Sequence, residues 1–228
     1  MRAYLVVVLL LPLLLAAAGE ALAQSASKLP RVLLIGDSIA GGYAPFVQQA
    51  MKDRAEVVLV KRAKQNGASD NAIEEMDSWL SGQEWAVIHF NWGLWDLKIT
   101  KEGRNNIPIE QYGKNLRELV AKMKKTGTIP IFATTTPVPE RVMITPRRTQ
   151  DAILYNAVAR RIMEESDVHV DDLYEAVLPR IHELQHPSDV HFNDDGSQFL
   201  AKRVTASIDF MLYLRKNYYY KDGRAPKP

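Results

Sequence analysis

The chain has 228 residues, a formal net charge of +2 and no cysteine. The near-neutral balance of charge gives no support for a broad electrostatic hold on nucleic acid or on an acidic membrane surface. The missing thiols exclude cysteine nucleophiles, iron–sulfur clusters, Cys-ligated zinc and disulfide staples, so packing alone has to hold the fold.

Met1-Arg2 is a positive start, Leu5 to Ala18 is an apolar run broken by Pro12, and Ala21-Leu22-Ala23 has the small-x-small form of a signal-peptidase site. Residues 1–23 therefore read as a secretory signal peptide. The apolar run is short for a spanning helix, so the expectation is a secreted or periplasmic protein with no stable membrane anchor after cleavage. Residues 24–30 are small and polar and suit a flexible lead-in, and no linker or repeat divides 31–216. The Tyr- and Pro-containing tail 217–228 reads as peripheral.

Val32-Leu33-Leu34-Ile35 is a buried-strand pattern that stops at Gly36-Asp37-Ser38, and Tyr43 to Lys52 then has helical spacing. Glu56 to Val60 is a second strand, with Asn66-Gly67 marking the exit from it. Ser69 or Asp70 could cap a helix with Ile73, Met76, Trp79 and Leu80 on one face. Trp85 to Phe90 is a third strand, closed by Asn91-Trp92-Gly93-Leu94-Trp95-Asp96. Pro108 opens a helix with the stripe Tyr112, Leu116, Leu119, Val120 and Met123, and Gly127 ends it. Ile129 to Ala133 is a fourth strand running into Thr134-Thr135-Thr136. Residues 140–148 form an exposed, Arg-rich loop, Ala152 to Met163 a helix, Val168 to Val170 a fifth strand and Ala176 to Leu184 a short helix. A last amphipathic helix starts at Asp194 or Asp195. Five strand–helix alternations with crossover-length connections predict a parallel sheet covered on both faces, a three-layer α/β/α domain.

In such a sheet the polar groups that follow each strand share one edge, where ligands bind. Asp37 and Ser38 need do no more than end a strand and cap a helix. Together with the other strand ends, however, they supply what acyl transfer requires. Ser38 is a hydroxyl, His191 a base and Asp189 an orienting acid, while Ser38 N–H, Gly67 N–H and the Asn91 amide are candidate oxyanion donors. Gly67 has no Cβ to keep a substrate oxygen away from its backbone.

Other motifs fit less well. No Gly-Lys-Ser/Thr follows Ser38, the glycines do not form Gly-x-Gly-x-x-Gly, and Ala40 stands where a Gly-x-Ser-x-Gly turn needs glycine. His186, Asp189, His191 and Asp194 could be imagined around a metal, but Asp194 is better used as a helix cap and no second histidine pair supports a site. His89, inside a strand, and His182 read as structural, and Trp79 and Trp85 as core. Trp92 and Trp95 flank Asn91 and are candidate substrate contacts, with core packing the equal alternative. The loop from Arg141 to Arg148 reads as solvated, with contact to an anionic substrate the alternative.

Gly36-Asp37-Ser38-Ile39, Asn66-Gly67 and Asp189-Val190-His191 resemble the first, second and last blocks of the SGNH (GDSL-type) hydrolases, over roughly residues 31–210. The third block departs from the usual Gly-x-Asn-Asp by placing Asn91 ahead of Gly93. In the last block the usual acid position, three before the histidine, is Ser188, so Asp189 stands only two before it. The resemblance implies a flavodoxin-like sheet of order 2-1-3-4-5 and a serine esterase that needs no metal or organic cofactor. The implied partner is a small-molecule or polysaccharide ester, with the O-acetyl groups of carbohydrate first. Lipid or thioester hydrolysis is the first alternative, and a non-catalytic glycan-binding protein on the same scaffold the second.

Overall fold

The computed structural model describes residues 29–60, 67–140 and 146–219. The expected signal peptide, Asn66 and residues 141–145 of the basic loop lie outside the described residues. Strand β1 (Arg31–Ile35) carries the apolar run, with Val32, Leu33, Leu34 and Ile35 all buried. With β2 (Glu56–Leu59), β3 (Val87–Phe90), β4 (Ile129–Ala133) and β5 (His169–Asp171) it forms a five-stranded parallel sheet of order β2-β1-β3-β4-β5. Past their first residues β1 and β4 are buried at every position, as is the whole of β3, His89 included, which is the pattern of strands covered on both faces.

Helices α1 (Ser38–Met51) and α7 (Asp194–Leu214) pack together on one face, and α2 (Ser69–Leu80), α3 (Ile109–Lys125) and α4 (Thr149–Glu165) line the other. Between β5 and α7 run α5 (Leu173–Val177), a 3₁₀ turn (Leu178–Arg180) and α6 (Ile181–Leu184). No helix among the described residues is long and apolar enough to cross a membrane.

Register decides what meets at the functional edge. Ile35 lies opposite Phe90, and Asn91 N–H donates to Ile35 O at 2.9 Å, so the segments following β1 and β3 leave the sheet side by side. His89 is buried one step earlier, its Nε2 3.2 Å from Asp171 Oδ2, which fits a structural histidine. Trp85 is buried too, donating its indole N–H to Trp79 O at 3.0 Å.

Several boundaries differ from expectation for identifiable reasons. Helix α1 starts at Ser38 and not near Tyr43, because Asp37 Oδ1 accepts the Ile39 N–H at 2.9 Å and caps it there. Gly41 and Gly42 are thus helical, and at Gly42 the missing side chain lets α7 approach: a Cβ would lie 3.3 Å from Ser197 Oγ. Helix α7 is capped by Asn193, whose Oδ1 accepts from Gly196 N–H at 2.8 Å. The helix does begin at Asp194, as expected, but Asp194 is not its cap: with Asp195 it occupies the first turn, where negative charge complements the helix dipole. Ser69 and Asp70 lie inside α2, behind an N-cap, Ala68, that makes no side-chain capping bond. The start of the expected tail continues the last helix as a wider turn over Arg215–Tyr219, where Asn217 Nδ2 donates to Tyr213 O at 2.8 Å.

Candidate active site

Ser38 is the exposed first residue of α1, and its Oγ lies 2.8 Å from His191 Nε2. His191 Nδ1 lies 2.7 Å from Asp189 Oδ1, and the same oxygen accepts the His191 backbone N–H at 3.2 Å. Assigning the imidazole proton to Nδ1, facing the carboxylate, leaves Nε2 with a lone pair for the serine hydroxyl. These three sequence-predicted residues meet at the edge where β1 ends.

The connection between α6 and α7 explains why an acid only two residues before the histidine reaches it. Gln185 and Phe192 form an antiparallel bridge, His186 N–H donates to His191 O at 3.0 Å, and Asp189 N–H donates to His186 O at 3.3 Å. Ser188 turns the chain with φ +57°, a left-handed conformation uncommon for a residue with a side chain. The Asp189 carboxylate then folds back along its own segment in an Asx turn. Gln185 Nε2 ties the loop down by donating to Pro137 O at 2.9 Å and Val190 O at 3.1 Å. Partial burial raises the Asp189 carboxyl, but hydrogen bonds from the His191 side chain and backbone outweigh it and leave the group below its ordinary range.

The oxyanion candidates are placed differently from expectation. Asn91 Nδ2 donates to Ala133 O at 2.8 Å and to Thr135 Oγ1 at 3.3 Å, so its amide is engaged with the end of β4. Thr135 is itself locked, its N–H donating to Asn156 Oδ1 at 2.9 Å and its carbonyl accepting from Asn156 Nδ2 at 2.8 Å. Gly93 must be glycine here, since a Cβ would overlap the Thr135 side chain. Trp92, expected at the substrate, is a core residue instead: it is 1 % exposed, packs 5.2 Å from Phe90 and offers no free face. Trp95 is half-buried beneath two cations, with Lys98 Nζ 5.3 Å and the Arg147 guanidinium 5.9 Å from its ring centre. Gly67 is buried directly ahead of α2, and Ser38, as the first helical residue, has no intrahelical acceptor for its N–H.

Beside Ser38 lies a narrow cavity, with room for little more than a water molecule, lined by Asp37, Ile39, Ala40, Tyr43, Asn91, Leu94, Thr134, Thr136 and Leu173. Leu94, not either neighbouring tryptophan, forms its wall from the loop after β3. Tyr43 and Leu173 had no motif to reveal them, since each reaches the edge from a helix. Arg147 is also pulled inward from the loop that read as solvated, donating from Nε to Leu94 O at 2.7 Å. Burial draws its guanidinium below its ordinary range, opposed by the carboxylates of Asp37 and Asp189.

The model of the GDSL-like Lipase/Acylhydrolase family matches residues 34–199, which takes in Ser38, Gly67, Asn91, Asp189 and His191. The chain belongs to that family. It is a serine ester hydrolase. Among solved structures it is similar to an acetyl xylan esterase, AlAXEase, with TM-score 0.67 and 18% identity, covering 78% of this chain and 99% of the other. A lipase/acylhydrolase from Enterococcus faecalis matches with TM-score 0.64 and 18% identity, covering 80% and 96%. A catalytic mutant of Axe2, an acetylxylan esterase from Geobacillus stearothermophilus, matches with TM-score 0.64 and 18% identity, covering 78% and 94%. No curated protein matches the chain.

In this acylhydrolase the most perturbed carboxyl group lies behind the exposed catalytic candidates. Asp96 is fully buried, and burial pushes its carboxyl up to about 7 against the lowering effect of hydrogen bonds from Ser69. One oxygen accepts Ser69 N–H at 3.0 Å, and the other has no hydrogen-bond partner among the described residues. The folded state therefore holds a proton on Asp96 that the unfolded chain releases above about pH 4. This contribution to stability falls as pH rises from about 4 to 7, by at most about 4 kcal/mol. Asp96→Asn removes that titration. Urea unfolding should show the variant gaining more relative to wild type at pH 8 than at pH 4.5. Equal differences at both pH values would contradict a neutral buried Asp96.

Proposed function

We propose that this protein is an exported esterase that removes small acyl groups, O-acetyl above all, from carbohydrate. The observation that carries the reading is the unbroken relay Asp189–His191–Ser38, with distances of 2.7 and 2.8 Å, at the carboxyl edge of the sheet. His191 Nε2 takes the Ser38 proton as Oγ attacks the ester carbonyl, and the Asp189 carboxylate stabilises the imidazolium that forms. The backbone N–H groups of Ser38 and Gly67 hold the oxyanion. Asn91 joins them by releasing Thr135, the longer of its two bonds at 3.3 Å. Collapse expels the sugar alcohol, protonated by His191, and water then attacks the acyl-enzyme with His191 as base.

Two features support a short acyl group and a large alcohol. The cavity beside Ser38 admits little more than a water-sized guest. The relay itself is open, with the His191 and Asp189 side chains 47% and 39% exposed, so a bulky leaving group can approach from solvent. Structural neighbours described as acetyl xylan esterases lend the same direction at the level of fold. Trp95 remains the aromatic candidate for contact with the sugar, and the N-terminal segment 1–23 supports export.

Aryl esters of increasing chain length test the proposal on purified protein. kcat/KM is expected to fall at least about tenfold from acetate to octanoate, as one or more ill-fitting methylenes predict, and acetylated xylo-oligosaccharides should release acetate. A rise with chain length would identify a lipolytic enzyme. No turnover of any ester would point to the non-catalytic, glycan-binding alternative.

A further inference from the structure

We propose that Asp96 is a positioning residue that fixes the Gly67 backbone N–H in the oxyanion site by capping α2 from the loop after β3. The inference rests on the assignment of Gly67 as an oxyanion donor, and it adds a residue that touches neither substrate nor nucleophile.

Helix α2 has no cap of its own, because its N-cap is Ala68. The Ser69 N–H is satisfied by the Asp96 carboxyl oxygen Oδ1, 27 residues away in the chain, at 3.0 Å. Around this bond the structure is closed. Ser69 Oγ accepts from Asn115 Nδ2 at 2.8 Å, and Asn115 Oδ1 accepts from Gln111 Nε2 at 2.8 Å, which joins α2 to α3. Asp96 is fixed from its own side, its carbonyl accepting Ile107 N–H at 2.9 Å, while the next residue, Leu97, donates to Gly93 O at 2.9 Å. Ser69 and Asp96 are both 0% exposed, so water cannot take over either partner. Gly67 stands two residues ahead of Ser69 and shares its backbone path, so the Asp96 carboxyl group sets where the Gly67 amide points. Oxyanion donors work only within a few tenths of an ångström of the developing charge.

A bare helix cap would affect stability alone; a positioning residue affects the chemical step. Asp96→Asn keeps an oxygen acceptor for Ser69, and Asp96→Leu removes it at similar volume. The expectation is kcat within about threefold of wild type for Asn and reduced about 10²-fold for Leu, with KM within about threefold in both, since losing an oxyanion donor acts on the transition state. A folded Asp96→Leu enzyme with wild-type kcat overturns the proposal, as does an Asn variant as impaired as Leu. If Asp96→Leu does not fold, Ser69→Pro makes the same cut from the other side. Proline is tolerated at the first helical position but supplies no N–H, and wild-type kcat there is equally fatal. If the wild type itself turns over no ester, it is the oxyanion assignment that fails. Amide exchange at Gly67 in wild type and Asp96→Leu then decides the link: faster exchange in the variant supports it, and unchanged protection refutes it.

Discussion

Replacing Ser38 by alanine is expected to reduce kcat on an aryl acetate by about 10⁴- to 10⁶-fold and to leave KM and the melting temperature close to wild type. Its Oγ bonds to His191 at 2.8 Å and the residue is exposed, so the substitution opens no core cavity. The cap of α1 also survives, because the capping oxygen belongs to Asp37. What disappears is the hydroxyl placed on the imidazole. The residual rate measures what oxyanion donors and binding achieve with water as the nucleophile. Activity within tenfold of wild type would transfer the role to another group and leave Ser38 as no more than the start of a helix.

Asp189→Asn is expected to lower kcat by about 10³- to 10⁴-fold without loss of fold. An amide oxygen can still accept the two His191 N–H groups, but it carries no charge to stabilise an imidazolium, and a flipped amide would hold the wrong tautomer. The effect should sit toward the lower end, because the Asp189 side chain is 39% exposed and solvent screens part of its field. The wild-type pH profile carries a second check. Hydrogen bonds from His191 hold the Asp189 carboxyl below its ordinary range despite partial burial. Its contribution is therefore complete above about pH 4 and is lost only as pH falls through the depressed value. Inactivation above pH 4 in wild type must then arise from a group other than Asp189. A near-normal kcat in Asp189→Asn would mean that the imidazole is held without a carboxylate.

The sheet was legible because β1, β3 and β4 are short apolar runs bounded by polar punctuation, and the order 2-1-3-4-5 followed from the resemblance rather than from periodicity. Ser38, Asp189 and His191 were legible as residue types at loop positions, and the structure brings them together. The parts that could not be read share one cause. Asp96 capping Ser69, Asn91 engaging Thr135 and Arg147 reaching Leu94 are contacts across 27 to 53 residues. Local spacing records none of them. Trp92 was ambiguous for a related reason: it lies just past β3, where the next side chain can turn outward to the site or back into the core, and Phe90 draws it inward. The start of α1 and the capping residue of α7 differ from expectation because adjacent polar residues compete for the cap, which only backbone geometry resolves.

The closed loop from Gln185 to Phe192 divides the relay unequally. Acid and base sit two residues apart on one segment, tied by the same carboxylate oxygen into one unit. Only the 2.8 Å gap between Ser38 and His191 joins separate elements, α1 and the segment entering α7. Those helices are seated against each other near Gly42 and Ser197. The distance from nucleophile to base is thus set by how one helix seats on the other, and bulk added at that contact is expected to detune the nucleophile while leaving His191 and Asp189 joined.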